Sequence, residues 1–246
     1  MTVRETARSL YRGHAHRYPR LYEAQQRAQV RARTALRRVH EPEFAVLADL
    51  RLPPRPLCVD IGANQGQSIV SLKRVLPDAR IESFEPNPDL LALAQRTARR
   101  YDGVRCHPFG LDATAGQVTL HTPSCRGLRF PQLATIEPPS PEQLSLAQRA
   151  AGFTWATPDV VTYTSLVVEM RTVDELDLAP DVIKIDVEGA ESRVLAGANR
   201  TVREHLPVLI VERNETATAP LLDLGYSVLP VPGGHNTLLV QPRHLA

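Results

Sequence analysis

From residue 57 onward, short apolar runs bounded by glycine, proline and acidic residues alternate with stretches whose apolar positions recur at helical spacing. Residues 57–59 (LCV) predict a buried strand that ends on Asp60, and Gly62 and Gly66 then make a tight turn into a helix over about residues 67–76. Residues 80–84 predict a second strand ending on Glu85, after which Pro88 and Asp89 open a helix that buries Leu90, Leu91 and Leu93. Further core strands are predicted over 104–108, 182–187 and 207–211. The 182–187 strand delivers Asp186 and Glu188 to the rim that carries Asp60 and Glu85, and 207–211 ends on Glu212. The helix after Glu188 places Ala190, Val194 and Ala198 on one face. Residues 116–121 alternate like a strand that either widens the sheet or forms a local hairpin, and 166–173 is another strand candidate. Residues 221–224, 226–229 and 237–240 predict a closing helix and two strands joined by PGGHN, an antiparallel hairpin turn. This alternation predicts an α/β fold with a doubly wound parallel sheet.

Two regions break the pattern. Between residues 21 and 39, Leu21, Ala28, Ala32, Ala35, Leu36 and Val39 recur at helical spacing among arginines, and LPPRP at 52–56 ends the run. Residues 1–50 therefore read as an arginine-rich helical arm, and 51–246 as the main domain. The plain reading of the arm is a helix packed on the domain with its arginines solvated. A homo-oligomer contact, or a basic surface for an anionic acceptor, are the alternatives. Prolines 123, 131, 138, 139, 141 and 158, with Trp155, Phe130, Phe153 and Tyr163, mark 123–162 as an insertion: a lid, or a surface excursion packed by its own aromatics. A short helix is expected within it at about 141–151.

At 246 residues the chain suits one large α/β domain. No apolar run is long enough for a membrane span, and no basic-then-apolar leader opens the chain, which predicts a cytoplasmic protein. Net charge is only +2, which argues against nucleic acid as a partner. The charge is uneven, however. Residues 1–40 hold ten arginines against Glu5 and Glu23, a balance of +8 that leaves −6 for the rest, where the two lysines are Lys73 and Lys184. Cys58, Cys106 and Cys125 are odd in number and lack CxxC spacing, which disfavours a disulfide framework and a zinc site.

A strand, a glycine loop and a helix amino terminus let backbone approach a ligand and aim N–H groups at it. Glu85, 25 positions after Asp60, is spaced to accept both hydroxyls of a ribose. Dinucleotide loops usually carry a second glycine where this one has Asn64. Without a pyrophosphate to seat, the loop suits S-adenosylmethionine better than NAD, and Asp60 would face that donor's cationic end. Asp112 follows the third strand and either meets the adenine amino group or makes a turn into Ala113. Asn87 is expected to fix the turn after Glu85.

VDIGANQG (59–66), FEPNP (84–88) and IKIDVEGAESRVLAGA (183–198), in this order, resemble the FkbM family of S-adenosylmethionine-dependent O-methyltransferases, over about residues 55–242. SCRGLRF at 124–130 is similar to a segment of many relatives. The resemblance implies a Rossmann-like class I methyltransferase sheet with a C-terminal antiparallel hairpin, S-adenosylmethionine as cofactor, and a small-molecule or glycan acceptor. The family's acceptors are hydroxyls of sugars or secondary metabolites. Gly62, Asn64 and Gly66 would then form the methionine-side loop.

Methyl transfer to a hydroxyl needs alignment and removal of one proton, so a base must stand at the carboxyl rim near the methyl group. Asp186 and Glu188 fit best. On an ideal strand they share a face with Lys184, which would hold a carboxylate ionised. Alternatively Asp186 only orients the donor, and Glu188 and Glu191 cap the following helix. Glu212 is a second base candidate, and His121 and His235 are the histidines placed to approach the rim. The three carboxylates have the oxygen chemistry of Mg2+, but the resemblance requires no metal and none is expected. The rival readings are an NAD-dependent oxidoreductase and a non-catalytic binding protein with a degenerate donor site.

Overall fold

The structure is a computed structural model that describes residues 39–125, 128–136, 161–187, 189–212 and 215–245. Nearly all of the arginine-rich arm, the expected helix at 141–151, Trp155, most of the insertion and Glu188 lie outside the described residues. The chain forms two compact units, a larger one from residues 37–117 and 168–246 and a smaller one that includes 118–167.

In the larger unit, helix α1 (Pro42–Val46) precedes β1 (Leu57–Ile61), α2 (Gln67–Val75), β2 (Arg80–Phe84), α3 (Pro88–Ala98) and β3 (Val104–His107). After the two-residue β4 (Gly110–Leu111) come β5 (Gly116–Cys125), β6 (Leu128–Arg129) and β7 (Val161–Arg171). The chain closes with β8 (Val182–Ile185), α4 (Glu191–Ala196), α5 (Asn199–His205), β9 (Val208–Glu212), α6 (Glu215–Leu222), β10 (Ser227–Leu229) and β11 (Asn236–Val240).

Seven strands make the main sheet, in the order β10, β11, β9, β8, β1, β2, β3. Strands β3, β2, β1, β8 and β9 run parallel, and β11 and β10 add antiparallel at the far edge. The doubly wound sheet with a terminal hairpin is thus the observed fold. The order reverses between β1 and β8, and such a switch point opens a crevice at the carboxyl ends of the strands. Both faces are covered. Val59, Ile61, Ile183, Ile185, Leu209 and Val211 pack into one apolar cluster, and the alternate positions Cys58, Ile81, Val182, Val208 and Ile210 into another.

Three expectations change. The domain begins earlier than residue 51, because α1 buries Phe44 and Leu47 in the second cluster beside Ile69 and Leu72. Pro at its first turn and apolar residues three apart make residues 42–47 a sheet-covering turn rather than the end of an arm. The strand at 116–121 does not widen the main sheet. It lengthens to Gly116–Cys125 and joins a four-stranded sheet in the order β4, β7, β5, β6, with β7 extending the expected 166–173 strand backward to Val161. The helix after Asp186 is two helices, broken at Gly197, where a side chain would collide with the Asp112 carbonyl.

In the smaller unit, Ser124 and Cys125 pair antiparallel with Arg129 and Leu128, Phe130 is fully buried, and His121 bridges Thr135.

Candidate functional site

The site lies where β1, β2 and β8 end. Register explains its polar centre: Asp60 on β1 pairs with Ser83 on β2 and with Lys184 on β8, so all three occupy one level of the sheet. Side chains at paired positions of a parallel sheet share a face. Asp60 Oδ2 accepts hydrogen bonds from Ser83 Oγ (2.6 Å) and Ser68 Oγ (2.8 Å), while Oδ1 has no hydrogen bond among the described residues and faces Lys184 Nζ at 3.5 Å. Asp60 is wholly buried. It therefore holds Lys184 and the first turn of α2 in place, rather than facing a ligand as expected.

Lys184 is the strut of the glycine loop. Its ammonium donates to the carbonyls of Gly62 (2.7 Å) and Ile61 (3.3 Å) and lies 3.3 Å from Asp186 Oδ2. Burial works to lower its pKa, but the carboxylates of Asp60, Asp186 and Glu41 outweigh that and hold it above the usual lysine value. The pairing of Lys184 with Asp186 expected from strand alternation is present.

The loop itself is built on left-handed backbone. Gly62, Asn64 and Gly66 have φ of +78°, +49° and +87°. Gly62 and Ala63 N–H groups both donate to the Phe84 carbonyl at 3.1 Å, anchoring the loop on β2. A Cβ at Gly62 would fall deep inside the Asp186 carbonyl oxygen. Gly62→Ala is accordingly expected to cost about 1–3 kcal/mol, measured by urea unfolding, because neither backbone can yield without breaking the Lys184 contacts.

Glu85, one residue past β2, is clamped by two backbone donors. Asn64 N–H reaches Oε2 and Asn87 N–H reaches Oε1, each at 2.9 Å. Burial pushes its pKa up to about 7, with the two N–H groups opposing the rise. Each oxygen keeps a lone pair, so the carboxylate is a fixed double acceptor. Asn87 caps α3 by accepting from the Asp89 N–H at 3.1 Å, the turn-fixing part expected of it.

A cleft opens at the glycine loop, lined by His40, Glu41, Phe44, Gly62, Ala63, Asn64, Gln67, Ser68, Lys184 and Asp186. Asn64 Oδ1 is buried without a hydrogen-bond partner among the described residues. Asp186, just past β8, has a half-buried carboxylate. Glu41 was not legible as a site residue: it lies before β1, outside every motif, and reaches the cleft only because α1 packs on the domain. Its Oε2 accepts from Asn236 Nδ2 at 2.6 Å. Burial and then the Asp186 carboxylate raise its pKa, with Lys184 and the Asn236 bond opposing. The signal that could have exposed it was Glu-Pro ahead of an apolar Phe44, a helix start rather than a tail.

Other candidates stand elsewhere. The Asp112 carboxylate is buried and forked by Arg193 Nε (2.8 Å) and Nη2, and it also accepts from the Ala113 N–H at 2.7 Å. The turn into Ala113 expected as one reading of Asp112 fits these bonds. Glu212 ends β9 opposite Asn236 of β11 and does not line the cleft with Asp186. His121 Nδ1 meets Ser165 Oγ at 2.9 Å in the smaller unit, and His235 is exposed in the final hairpin turn. Glu191 Oε1 accepts from the Gly189 N–H at 3.0 Å, bridging the start of α4. No cluster of three metal-ligating side chains occurs among the described residues.

Residues 60–224 match the Methyltransferase FkbM domain, a span from Asp60 through α6. The chain belongs to the FkbM methyltransferase family. Within reach of this FkbM chain is a methyltransferase, sdnD, from Sordaria araneosa, 30% identical over 65% of this chain and 67% of its own length. A 2-O-methyltransferase, NoeI, from Sinorhizobium fredii is 26% identical over 70% of this chain and 68% of its own. Among solved structures, an FkbM methyltransferase from Methylobacillus flagellatus KT superposes with a TM-score of 0.52 at 22% identity, covering 81% of this chain and 48% of that one. This likeness bears on the fold, and the chain spans about half the length of that structure. An FkbM chain is a methyltransferase that uses S-adenosylmethionine. The residues present suit that donor: a fixed double acceptor for a diol, an orphaned buried amide oxygen, and carboxylates beside the cleft for a cation. No helix among the described residues is long and apolar enough to cross a membrane.

Proposed function

We propose that this chain is an O-methyltransferase acting on a hydroxyl of a sugar, a glycan or a glycosylated natural product. The observation that carries the oxygen acceptor is Asp186. Its carboxylate opens to the cleft one residue past β8, with the Lys184 ammonium 3.3 Å away as its counter-charge. A hydroxyl must lose a proton as it is methylated, and a positioned carboxylate is a competent acceptor of that proton. The 2-O-methyltransferase among the relatives supports oxygen as the acceptor atom, and the sugar class rests on the family resemblance of the three motifs.

S-adenosylmethionine supplies the activated methyl group. Glu85 accepts the two ribose hydroxyls, with Asn64 and Asn87 N–H groups holding its carboxylate in position. Gly62 and Asn64 line the methionine side, while Gly66 shapes the turn and opens α2. Lys184 locks the Gly62 carbonyl and stands as the counter-charge of Asp186. Phe44 and Ala63 give the cleft apolar wall that excludes water. Asp186 Oδ takes the acceptor proton.

Two measurements test this reading. Calorimetric titration should give saturable binding of S-adenosylhomocysteine and none of NAD; binding of NAD alone would overturn it. With labelled donor and a panel of glycosides, Asp186→Asn should lower kcat by about two to four powers of ten while S-adenosylhomocysteine affinity stays within about threefold. Unchanged kcat would remove Asp186 as the base.

A further inference from the structure

The cleft carries more negative charge than its own lysine balances. Asp60, Asp186 and Glu41 all act on the single Lys184 ammonium, which is the sole lysine or arginine among the described residues lining the cleft. Glu41 and Asp186 line the cleft with Lys184, and Asp60 lies buried behind it, so two carboxylates against one ammonium leave a formal excess of one negative charge around a half-buried space. Such an excess is unfavourable unless a cation completes it. Asp60 is closed off by Ser68 and Ser83, and Asp186 is paired at 3.3 Å. Glu41 differs from both. One oxygen is fixed by Asn236, the other lies 3.9 Å from His40 Nε2, and its side chain is 16% exposed on the cleft wall.

We infer that Glu41, held by Asn236, is a donor-binding residue that recognises the α-ammonium of the methionine moiety. The inference rests on the donor-site reading above. The chemistry is a charge-assisted N–H to carboxylate hydrogen bond in a cleft already negative, which selects a primary ammonium over a neutral group. The amino terminus of α2, which begins at Gln67 on the same cleft, carries the partial positive charge that suits the adjacent carboxylate of an amino acid. Asn236 sits at the first position of β11, so the terminal hairpin positions the recognising carboxylate.

The test separates ammonium recognition from a structural role. Wild type and Glu41→Gln are titrated with S-adenosylhomocysteine, S-adenosylmethionine and 5′-methylthioadenosine, which keeps the nucleoside but lacks the amino acid. Glutamine can still accept from Asn236, so the wall should keep its shape. About tenfold weaker binding of the two amino-acid ligands, with 5′-methylthioadenosine within about twofold, is the expected result. Unchanged binding of S-adenosylhomocysteine, or parallel weakening of all three, overturns the inference. Failure of wild type to bind any of them would instead overturn the donor-site reading itself. A variant thermal midpoint within about 3 °C of wild type shows that binding, and not folding, is being read.

Discussion

Lys184→Met should lower folding stability by about 3–5 kcal/mol, the largest loss expected of any single change at the site. Methionine fills similar volume, so the loss is electrostatic. Asp60 is wholly buried, and its Oδ1 has no hydrogen bond among the described residues, so the ammonium 3.5 Å away is the charge that keeps it tolerable. Removing that ammonium also takes a donor from the Gly62 carbonyl and leaves the Ile61 carbonyl with the Asp186 N–H, loosening the loop. Urea unfolding measures the deficit. Asp60→Asn added to Lys184→Met should restore roughly half the loss, because an amide still accepts from Ser68 and Ser83 without a charge. A single variant less than about 1 kcal/mol below wild type, or no recovery in the double variant, would show that Lys184 does not neutralise Asp60.

The parts of this site that the sequence discloses are those whose geometry is local. The glycines at 62 and 66 announce a left-handed turn, and Glu85 follows a strand whose apolar alternation fixes where it ends. Lys184 and Asp186 are two apart on a strand, so their pairing follows from pleat alone. What was hidden depends on partners far along the chain. Asp60 looks like a ligand-facing carboxylate until register sets Ser83 beside it and the helix brings Ser68 beneath it. Asp112 looks free until Arg193, 81 positions later, closes on it. Glu41 belongs to no motif and reaches the cleft because Phe44 and Leu47 bury under the sheet. The main sheet and its hairpin were readable from periodicity, whereas no periodicity says which sheet a strand such as β5 will join.

Glu85→Ala should weaken S-adenosylhomocysteine by about two to four powers of ten, since two hydrogen bonds from ribose hydroxyls to a charged acceptor are lost together. The same carboxylate makes donor binding pH-dependent. With its pKa pushed up to about 7, Glu85 is about nine-tenths ionised at pH 8 and one-tenth at pH 6, so affinity should fall about tenfold between them. Glu85→Gln should bind weakly and lose that slope. Stability runs the opposite way. A carboxyl raised from the ordinary glutamate value to about 7 contributes fully below its unfolded pKa, and that contribution is lost as pH rises through 7. The free protein should therefore lose on the order of 3 kcal/mol from this group between pH 4 and 8. The gap between wild-type and Glu85→Gln thermal midpoints should move in the variant's favour as pH rises. Burial at β2 thus destabilises the ionised form of Glu85 in the free protein, and the ribose diol stabilises that same form. An S-adenosylhomocysteine affinity flat from pH 6 to 8, with Glu85→Ala still binding, would place the ribose elsewhere.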